Sequence, residues 1–186
     1  SARTVQLELP PFTLVAATTR MSLLSAPLRS RFSGGTFRLE FYSDEELAAI
    51  LARSASLLSI TTSSDILADI AKRCRATPRT ANYLLKRCRD MAQLEGSDLT
   101  SDVVSRTFAL LEIDTLGLNA PDRAVLTAII EKFGGGPVGL NTIAAATGEE
   151  QSTIEDVIEP YLIRQGLLER TPRGRIASAE AYKHLA

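Results

Sequence analysis

Alternation of apolar and polar residues at the start of the chain predicts β-structure. The first strand is expected over residues 5–9, where apolar residues occupy every second position, and Pro10 ends it. Residues 12–17 (FTLVAA) form a continuous apolar run, which is typical of a strand buried on both faces. The alternation returns in residues 36–42 (TFRLEFY), after a turn-rich segment. We therefore expect three strands before residue 43.

The hydrophobic period becomes helical at Ser43, which has the spacing of a capping box with Glu46. Three further amphipathic helices are predicted. One of them has Thr77 as its N-cap and Pro78 in its first turn, where the missing N–H costs nothing. The four helices are expected to begin near residues 43, 64, 78 and 101. We interpret residues 42–113 as a small helical bundle.

A second helical unit follows residues 114–118 (DTLGL), which have the composition of a linker. A helix, a glycine-rich break and a short helix lead to a turn that contains Gly148. The next helix carries a second capping-box pattern, Ser152-x-x-Glu155, and Pro160 is expected to kink it. With the hairpin that comes after it, this order predicts a winged helix-turn-helix over residues 114–186.

Three arginines surround the predicted hairpin turn, in the segment RTPRGR, with no carboxylate among them. Long cationic side chains at the tip of a β-ribbon suit phosphate contact, although an ordinary solvated turn has the same composition. The helix that begins near Ser152 and the turn before it together have five carboxylates between residues 149 and 159, and no Lys or Arg before Arg164. It should repel a phosphate backbone, so we expect the wing and not this helix to contact DNA. Its acidic face is either solvated surface or the contact for a basic partner.

Composition limits the classes of protein that fit. Apolar residues make up 45% and charged residues 23% of the 186 residues, which indicates a folded globular chain. The net charge of −1 excludes a uniformly basic nucleic-acid-binding coat but allows a local basic patch. No apolar run approaches the roughly 20 residues that cross a bilayer. We expect a soluble, cytoplasmic protein, and because the chain starts at Ser1 without Met, a piece of a longer one.

Seven basic residues and no acidic residue lie between Lys72 and Arg89. Most are expected on the polar faces of two amphipathic helices. Arg79 differs because it falls in the first turn of a helix, where the macrodipole disfavours a cation. A nearby anion, such as a nucleotide phosphate, would account for that position.

Other candidate residues carry weaker signals. Thr18-Thr19-Arg20 ends a predicted buried strand, and ligands bind at that edge of open parallel sheets, although a plain polar turn fits equally well. His184, the only histidine, is expected to be exposed and idle. Cys74 and Cys88 are expected to be small core residues. No zinc spacing and no catalytic triad can be assembled.

Nucleotide hydrolysis requires motifs that this sequence lacks. It contains no G-x-x-x-x-G-K-[ST] phosphate loop and no strand ending in an acidic pair that could hold Mg²⁺. We therefore expect that the chain alone does not hydrolyse ATP.

Five segments together closely resemble the RuvB family of bacterial AAA+ motors, which drive branch migration of Holliday junctions. They are FTLVAATTR, SAPLRSRF, ATPRTANYLLKR, GGPVGLNTIAAATGEE and TIEDVIEPYLIRQGLLERTPRGR. The resemblance covers essentially the whole chain. It implies an α+β, mostly α, fold: a remnant of the AAA+ α/β sheet in residues 1–41, a helical AAA+ lid in 42–113 and a winged helix in 114–186.

The resemblance also implies roles for single residues. Thr19, with Thr18 beside it, matches the sensor 1 position that responds to the γ-phosphate. Arg31 matches the arginine finger that reaches the ATP of a neighbouring subunit. Arg79, next to Pro78, matches the sensor 2 arginine of the lid, which contacts the nucleotide of its own subunit.

The DNA contact implied by the resemblance is the wing, through Arg170, Thr171, Arg173 and Arg175. In the intact motor the family uses ATP and Mg²⁺, forms a hexameric ring of RuvB subunits, acts on double-stranded DNA at junctions and binds RuvA. The regions that hold the phosphate loop, the Mg²⁺ and RuvA are absent from this sequence, so we expect none of these ligands on this chain alone.

Two other classes of function fit part of the sequence. A non-enzymatic winged-helix regulator with a helical dimerisation domain would bind DNA sequence-selectively, and the acidic helix counts against it. A pure protein-interaction module would show no DNA binding at any salt concentration.

Overall fold

Helices form nearly all the regular structure of the chain. The computed structural model describes residues 9–185. Contacts divide the chain into two compact units, residues 1–40 and 41–186, called here the N-terminal unit and the main unit. The mostly helical fold class predicted from the sequence is confirmed.

The N-terminal unit has little regular structure among its described residues. It contains a 3₁₀ turn, Met21–Leu23, and helix α1, Ala26–Arg31. The strands predicted over residues 12–17 and 36–42 are wrong, since no β-ladder forms within residues 9–42, and most of the strand predicted over 5–9 lies outside the described residues. A strand of this apolar character needs neighbours that supply hydrogen bonds and cover its faces, and these residues remain exposed instead.

Four helices form the first half of the main unit and are called the lid. Their apolar faces enclose one core, with Leu47, Leu84 and Phe108 among its largest members. Both side-chain hydrogen bonds of the predicted capping box at Ser43 and Glu46 are present. The helix bounds agree with the sequence pattern: α2 Asp44–Leu57, α3 Ser64–Lys72, α4 Pro78–Glu95 and α5 Ser101–Leu110.

The second half of the main unit is a winged helix with its own core around Leu126, Ile143 and Leu162. Its strands pair antiparallel, with Arg170 opposite Arg175. The predicted hairpin is confirmed. The elements are α6 Ala120–Thr127, a π segment Ala128–Lys132, α7 Leu140–Thr147, α8 Gln151–Thr153, a π segment Ile154–Ile158, α9 Glu159–Arg164, β1 Leu168–Thr171, β2 Gly174–Ala177 and α10 Ala179–Leu185.

Helix starts in this half differ from the sequence pattern. The capping box predicted at Ser152 is wrong, because the helix begins at Gln151 without any side-chain cap. A reciprocal capping box lies instead at Asn119 and Asp122, at the start of α6. Pro160 is the second residue of α9, which follows the π segment Ile154–Ile158, so the helix changes from π to α type next to the residue where the sequence predicted a kink.

Residues 114–118, predicted as a linker, form an ordered turn. Oδ1 of Asp114 accepts hydrogen bonds from the backbone N–H groups of Leu116 and Leu118, at 2.9 and 2.8 Å. Oδ2 of the same carboxylate lies 2.8 Å from Nε2 of His184 on α10. The prediction of an exposed, idle His184 is therefore wrong, since this side chain is 17% exposed and holds the C-terminal helix to the turn.

Candidate nucleic-acid interface and nucleotide contacts

The tip of the wing presents Arg173 to solvent. The turn is closed by the hydroxyl of Thr171, which donates to the carbonyl of Gly174 at 2.8 Å and accepts from the N–H of Arg173 at 3.3 Å. Arg173 has no ion pair within residues 9–185. Its guanidinium is thus a free charge at a fixed backbone position, which suits a phosphate contact.

Arg175 does not fit the exposed phosphate contact expected from the sequence. Its side chain is 10% exposed, and its Nη2 and Nε lie 2.7 and 2.9 Å from Oε2 of Glu159. In addition, its backbone pairs with Val138, which extends the hairpin by one bridge. The guanidinium is already paired with a carboxylate inside the protein, so the structure places Arg175 beneath the wing and not at its exposed surface.

Arg170 is paired like Arg175, but it is exposed to solvent like Arg173. Its side chain is 56% exposed, and it lies 3.2 Å from Oε1 of Glu155 and 3.3 Å from Oε1 of Glu159. An ion pair with this exposure is weak, so the guanidinium can exchange a carboxylate partner for a phosphate at small cost.

The acidic helix face noted in the sequence has a structural explanation. Glu155 and Glu159 turn toward the wing and bind its arginines, and Glu159 is only 1% exposed. This pairing could not be predicted from the sequence, because the partners are 15 and 16 residues apart and are brought together by the hairpin.

Arg79 is exposed in the first turn of α4, beside Pro78 at the helix start. That first turn contains no acidic residue, and no ion pair to Arg79 is found in the described part of the chain. Thr77 occupies the predicted N-cap position, but its hydroxyl bonds Thr80 and the carbonyl of Cys74 instead of a free N–H of the first turn. Arg79 and the uncapped backbone together leave a cationic surface that fits a phosphate.

The remaining predicted nucleotide residues belong to the N-terminal unit. The hydroxyl of Thr18 accepts from the N–H of Arg20 at 3.0 Å, and Thr19 is exposed. Arg31 is the last residue of α1 and is also exposed. The structure thus gathers the four wing residues on one hairpin, whereas the nucleotide residues are divided between the two units.

No set of three or more metal-ligating side chains occurs in residues 9–185. The described residues therefore do not fit a Mg²⁺ site. Within the same residues, no helix is both long and apolar enough to cross a membrane.

Sequence reasoning missed Arg75, which was assigned to a polar helix face. It projects from the turn between α3 and α4 onto the winged helix, where its Nη1 lies 2.6 Å from Oδ2 of Asp122. Its Nη2 donates to the carbonyl of Val157 at 3.1 Å, and its guanidinium stacks 4.1 Å from the centre of the Tyr161 ring. Burial raises the pKa of the Asp122 carboxyl and of the Tyr161 hydroxyl.

Three family models match the chain in succession. The model described as the Holliday junction DNA helicase RuvB P-loop domain matches residues 1–39, that of the RuvB AAA lid domain matches 42–114, and that of the RuvB C-terminal winged helix domain matches 115–186. The match to the first does not extend to a phosphate-loop motif, which the sequence lacks.

Solved structures give the same result. The RuvB Holliday junction branch migration motor of Thermotoga maritima is 51% identical, with a TM-score of 0.86 over 94% of this chain and 59% of that chain. A lysine-to-arginine variant of the same protein is 51% identical with a TM-score of 0.85, over 94% of this chain and 58% of that chain. The chain thus spans about three fifths of the length of the relatives that it matches.

Proposed function

Because the chain belongs to the RuvB family, we propose that it forms part of an ATP-dependent DNA motor that drives branch migration of Holliday junctions. We assign residues 1–41 to the end of the AAA+ large domain, 42–113 to the lid and 114–186 to the DNA-binding winged helix. The observation that carries this proposal is the wing itself. Arg173 is a free cation at its tip, and Arg175 is used internally to support it.

The proposed DNA contact is made to the phosphate backbone alone. Arg173 would contact phosphate directly, and Arg170 would join it by leaving Glu155. Thr171 would act by holding the turn closed. Phosphate contacts carry no sequence information, which is what a motor that moves along any duplex requires. The carboxylates of the helix behind the wing would keep that helix out of the major groove.

The proposed nucleotide contacts are Thr19 and Thr18 as sensor 1, Arg31 as the arginine finger of a neighbouring subunit, and Arg79 beside Pro78 as sensor 2. The exposed, unpaired guanidinium of Arg79 in the first turn of α4 supports its part. ATP would supply the free energy of movement, in a hexameric ring in the cytoplasm that also binds RuvA through residues outside this sequence. No step is assigned to Mg²⁺, since the described residues offer no site for it.

We further propose that these 186 residues do not hydrolyse ATP on their own, because the sequence has no phosphate loop. A phosphate-release assay with purified chain, at saturating ATP and Mg²⁺, should give the rate of the buffer. Turnover that depends on Arg31 or Thr19 would contradict this proposal.

The experiment that tests the DNA contact is fluorescence anisotropy with a labelled duplex and a four-way junction over a salt series. Binding should be sequence-blind and should weaken with salt. Arg173→Ala should reduce the slope of log affinity against log salt by roughly 0.9 for the lost contact. Arg106→Ala is the matched control, since it removes an exposed arginine from the lid and should leave the slope unchanged.

Two outcomes would overturn this proposal. Tight, sequence-selective binding would indicate a winged-helix regulator. Absence of binding even at low salt would indicate a protein-interaction module.

A further inference from the structure

The lid and the winged helix have separate hydrophobic cores that share no residue. Several contacts between them are polar. The guanidinium of Arg123 on α6 donates to the carbonyl of Glu112, and Gly117 packs so closely on the carbonyl of Arg73 that a Cβ there would come within 2.8 Å. Two domains of one chain are expected to move relative to each other unless the interface between them is large and hydrophobic, or specific contacts hold them. The position of the winged helix therefore depends on a few side chains.

Arg75 extends from the lid to the winged helix across the contact between them, called here the joint. It is the partner of three groups on the winged helix at once: the Asp122 carboxylate, the Val157 carbonyl and the Tyr161 ring. These groups lie on α6, on the π segment and on α9, so one guanidinium contacts three elements of the other domain. Its planar fork suits this task better than the point charge of a lysine.

The burial of Asp122 makes the stability of the protein depend on this contact. The side chain of Asp122 is 0% exposed, and Oδ1 has no hydrogen-bond partner among residues 9–185. Oδ2 also accepts from the backbone N–H of Asn119 at the start of α6. Loss of Arg75 would leave a buried carboxylate without its charge partner, and such a charge is costly in a protein interior.

Tyr161 fixes the other side of the joint. Its hydroxyl donates to the carbonyl of Leu116 at 2.6 Å, so the ring beneath Arg75 is tied to the ordered turn between the domains. The same hydroxyl lies 2.8 Å from the position that a Cβ on Gly117 would occupy. The turn, the ring and the guanidinium are thus packed as one layer.

The backbone that carries Arg75 is itself constrained. Arg75 and Ala76 both have φ of +54°, a left-handed conformation that persists only when the surrounding contacts impose it. The next residues are Thr77, Pro78 and Arg79, at the start of α4. The contact with the winged helix and the proposed nucleotide contact are therefore four residues apart on one rigid segment.

We propose that Arg75, through its pair with Asp122, is the positioning residue that makes the lid and the DNA-binding domain move as one body. If nucleotide binding displaced the start of α4, the winged helix would then move with it. The transmission of movement to DNA rests on the proposed motor function. The rigidity of the joint between the lid and the winged helix can be measured without it.

The test uses ¹⁵N relaxation of the 186-residue chain to obtain separate rotational correlation times for amides of the lid and of the winged helix. The two should be equal in the parent. In Arg75→Ala, the correlation time of the winged-helix amides should fall below that of the lid amides. Arg75→Lys should show a smaller difference than Arg75→Ala, since lysine retains the charge but not the planar fork. Arg87→Ala, which removes an arginine paired within the lid, is the matched control.

Because Arg75→Ala leaves the Asp122 carboxylate without its charge partner and can unfold the domain, Arg75→Ala/Asp122→Asn is measured beside it. The double variant leaves no charge at position 122, and the Asn side chain can still accept from the N–H of Asn119. Equal correlation times in a folded variant would overturn the proposal, as would unequal times in the parent. A loss of thermal stability alone, without a change in relative tumbling, would indicate a merely structural role and overturn it too.

The affinity of the same samples for a labelled duplex, measured by fluorescence anisotropy, distinguishes the proposed role of Arg75 from the proposed motor function. The wing residues are untouched in Arg75→Ala, so its affinity for a short duplex should stay within about twofold of the parent, a change worth less than 1 kcal/mol. If the parent does not bind DNA, the motor function fails, and the correlation times still decide whether Arg75 fixes the joint.

Discussion

Arg175 and Glu159 form a buried ion pair that joins the wing to the helix behind it, with N···O distances of 2.7 and 2.9 Å. Both side chains are almost fully enclosed, so the pair is a fixed part of the winged helix. One of the three wing arginines is consequently paired with an internal carboxylate. Oε1 of Glu159 also lies 3.3 Å from Arg170, so the same carboxylate pairs with two arginines of the wing.

Breaking this pair from either side should destabilise the protein, whereas removing both charges should not. Glu159→Leu leaves the buried Arg175 without its charge partner, and Arg175→Leu leaves the buried Glu159 with only the half-exposed Arg170. Each variant should lower the free energy of unfolding by about 3 kcal/mol. Arg175→Leu/Glu159→Leu should lie within roughly 1 kcal/mol of the parent. Urea denaturation followed by circular dichroism measures all three. Single variants that unfold at the parent midpoint would contradict a buried pair.

Gly174 should be intolerant of any side chain. Its φ is +138°, and an added Cβ would come within 2.5 Å of the Val138 carbonyl oxygen, which pairs with the wing. Gly174→Ala should therefore cost more than the roughly 1 kcal/mol of backbone strain alone. Gly96→Ala is the control, because Gly96 also has a positive φ, +63°, but no atom within 4 Å of the new methyl group. Thermal unfolding should rank Gly174→Ala well below Gly96→Ala, and equal stabilities would refute the close approach.

Asp114 should contribute more than His184 to the stability of the turn between the domains. Asp114 accepts from two backbone N–H groups as well as facing His184, whereas His184 is shown with this one partner. Asp114→Ala should cost about 2 kcal/mol and His184→Ala about 1 kcal/mol, because the former leaves two backbone donors unpaired. Chemical denaturation of each variant measures the costs, and the reverse order would show that the histidine contact dominates.

Alkaline pH should destabilise the lid through its two buried thiols. Burial raises the pKa of Cys74 from 9.0 to about 12 and that of Cys88 from 9.0 to about 11. The folded state therefore holds protons that the unfolded chain releases, so this contribution to stability is complete below pH 9 and is lost as pH rises from 9 through the raised pKa values. At pH 10 the loss should be on the order of 1 kcal/mol per thiol.

The measurement for the thiols is the free energy of unfolding at pH 8 and pH 10. Cys74→Ala/Cys88→Ala should show a smaller decline over this interval than the parent. In the native parent, neither thiol should react with a thiol reagent at pH 8. Rapid labelling without unfolding would contradict the buried placement.

Local sequence signals predicted the helices of the main unit well. Ser43 and Glu46 satisfy each other's backbone N–H groups, and Pro78 can occupy only the first turn of α4, so both fix a helix start without help from tertiary contacts. The hairpin was equally predictable, because its turn residues and apolar flanks are adjacent in the chain. The strands of residues 12–17 and 36–42 failed for the opposite reason, since a strand has no internal hydrogen bonds and depends on partners.

The sequence by itself determined the helices of the lid, the hairpin of the wing and the family, because each depends on residues close together in the chain. Only the tertiary structure decided which charges are available. It paired Arg175 with Glu159, His184 with Asp114, and Arg75 with Asp122, across 16, 70 and 47 residues. A guanidinium is equally basic in every sequence context, and its role follows from whether folding brings a carboxylate to it and removes the water around both.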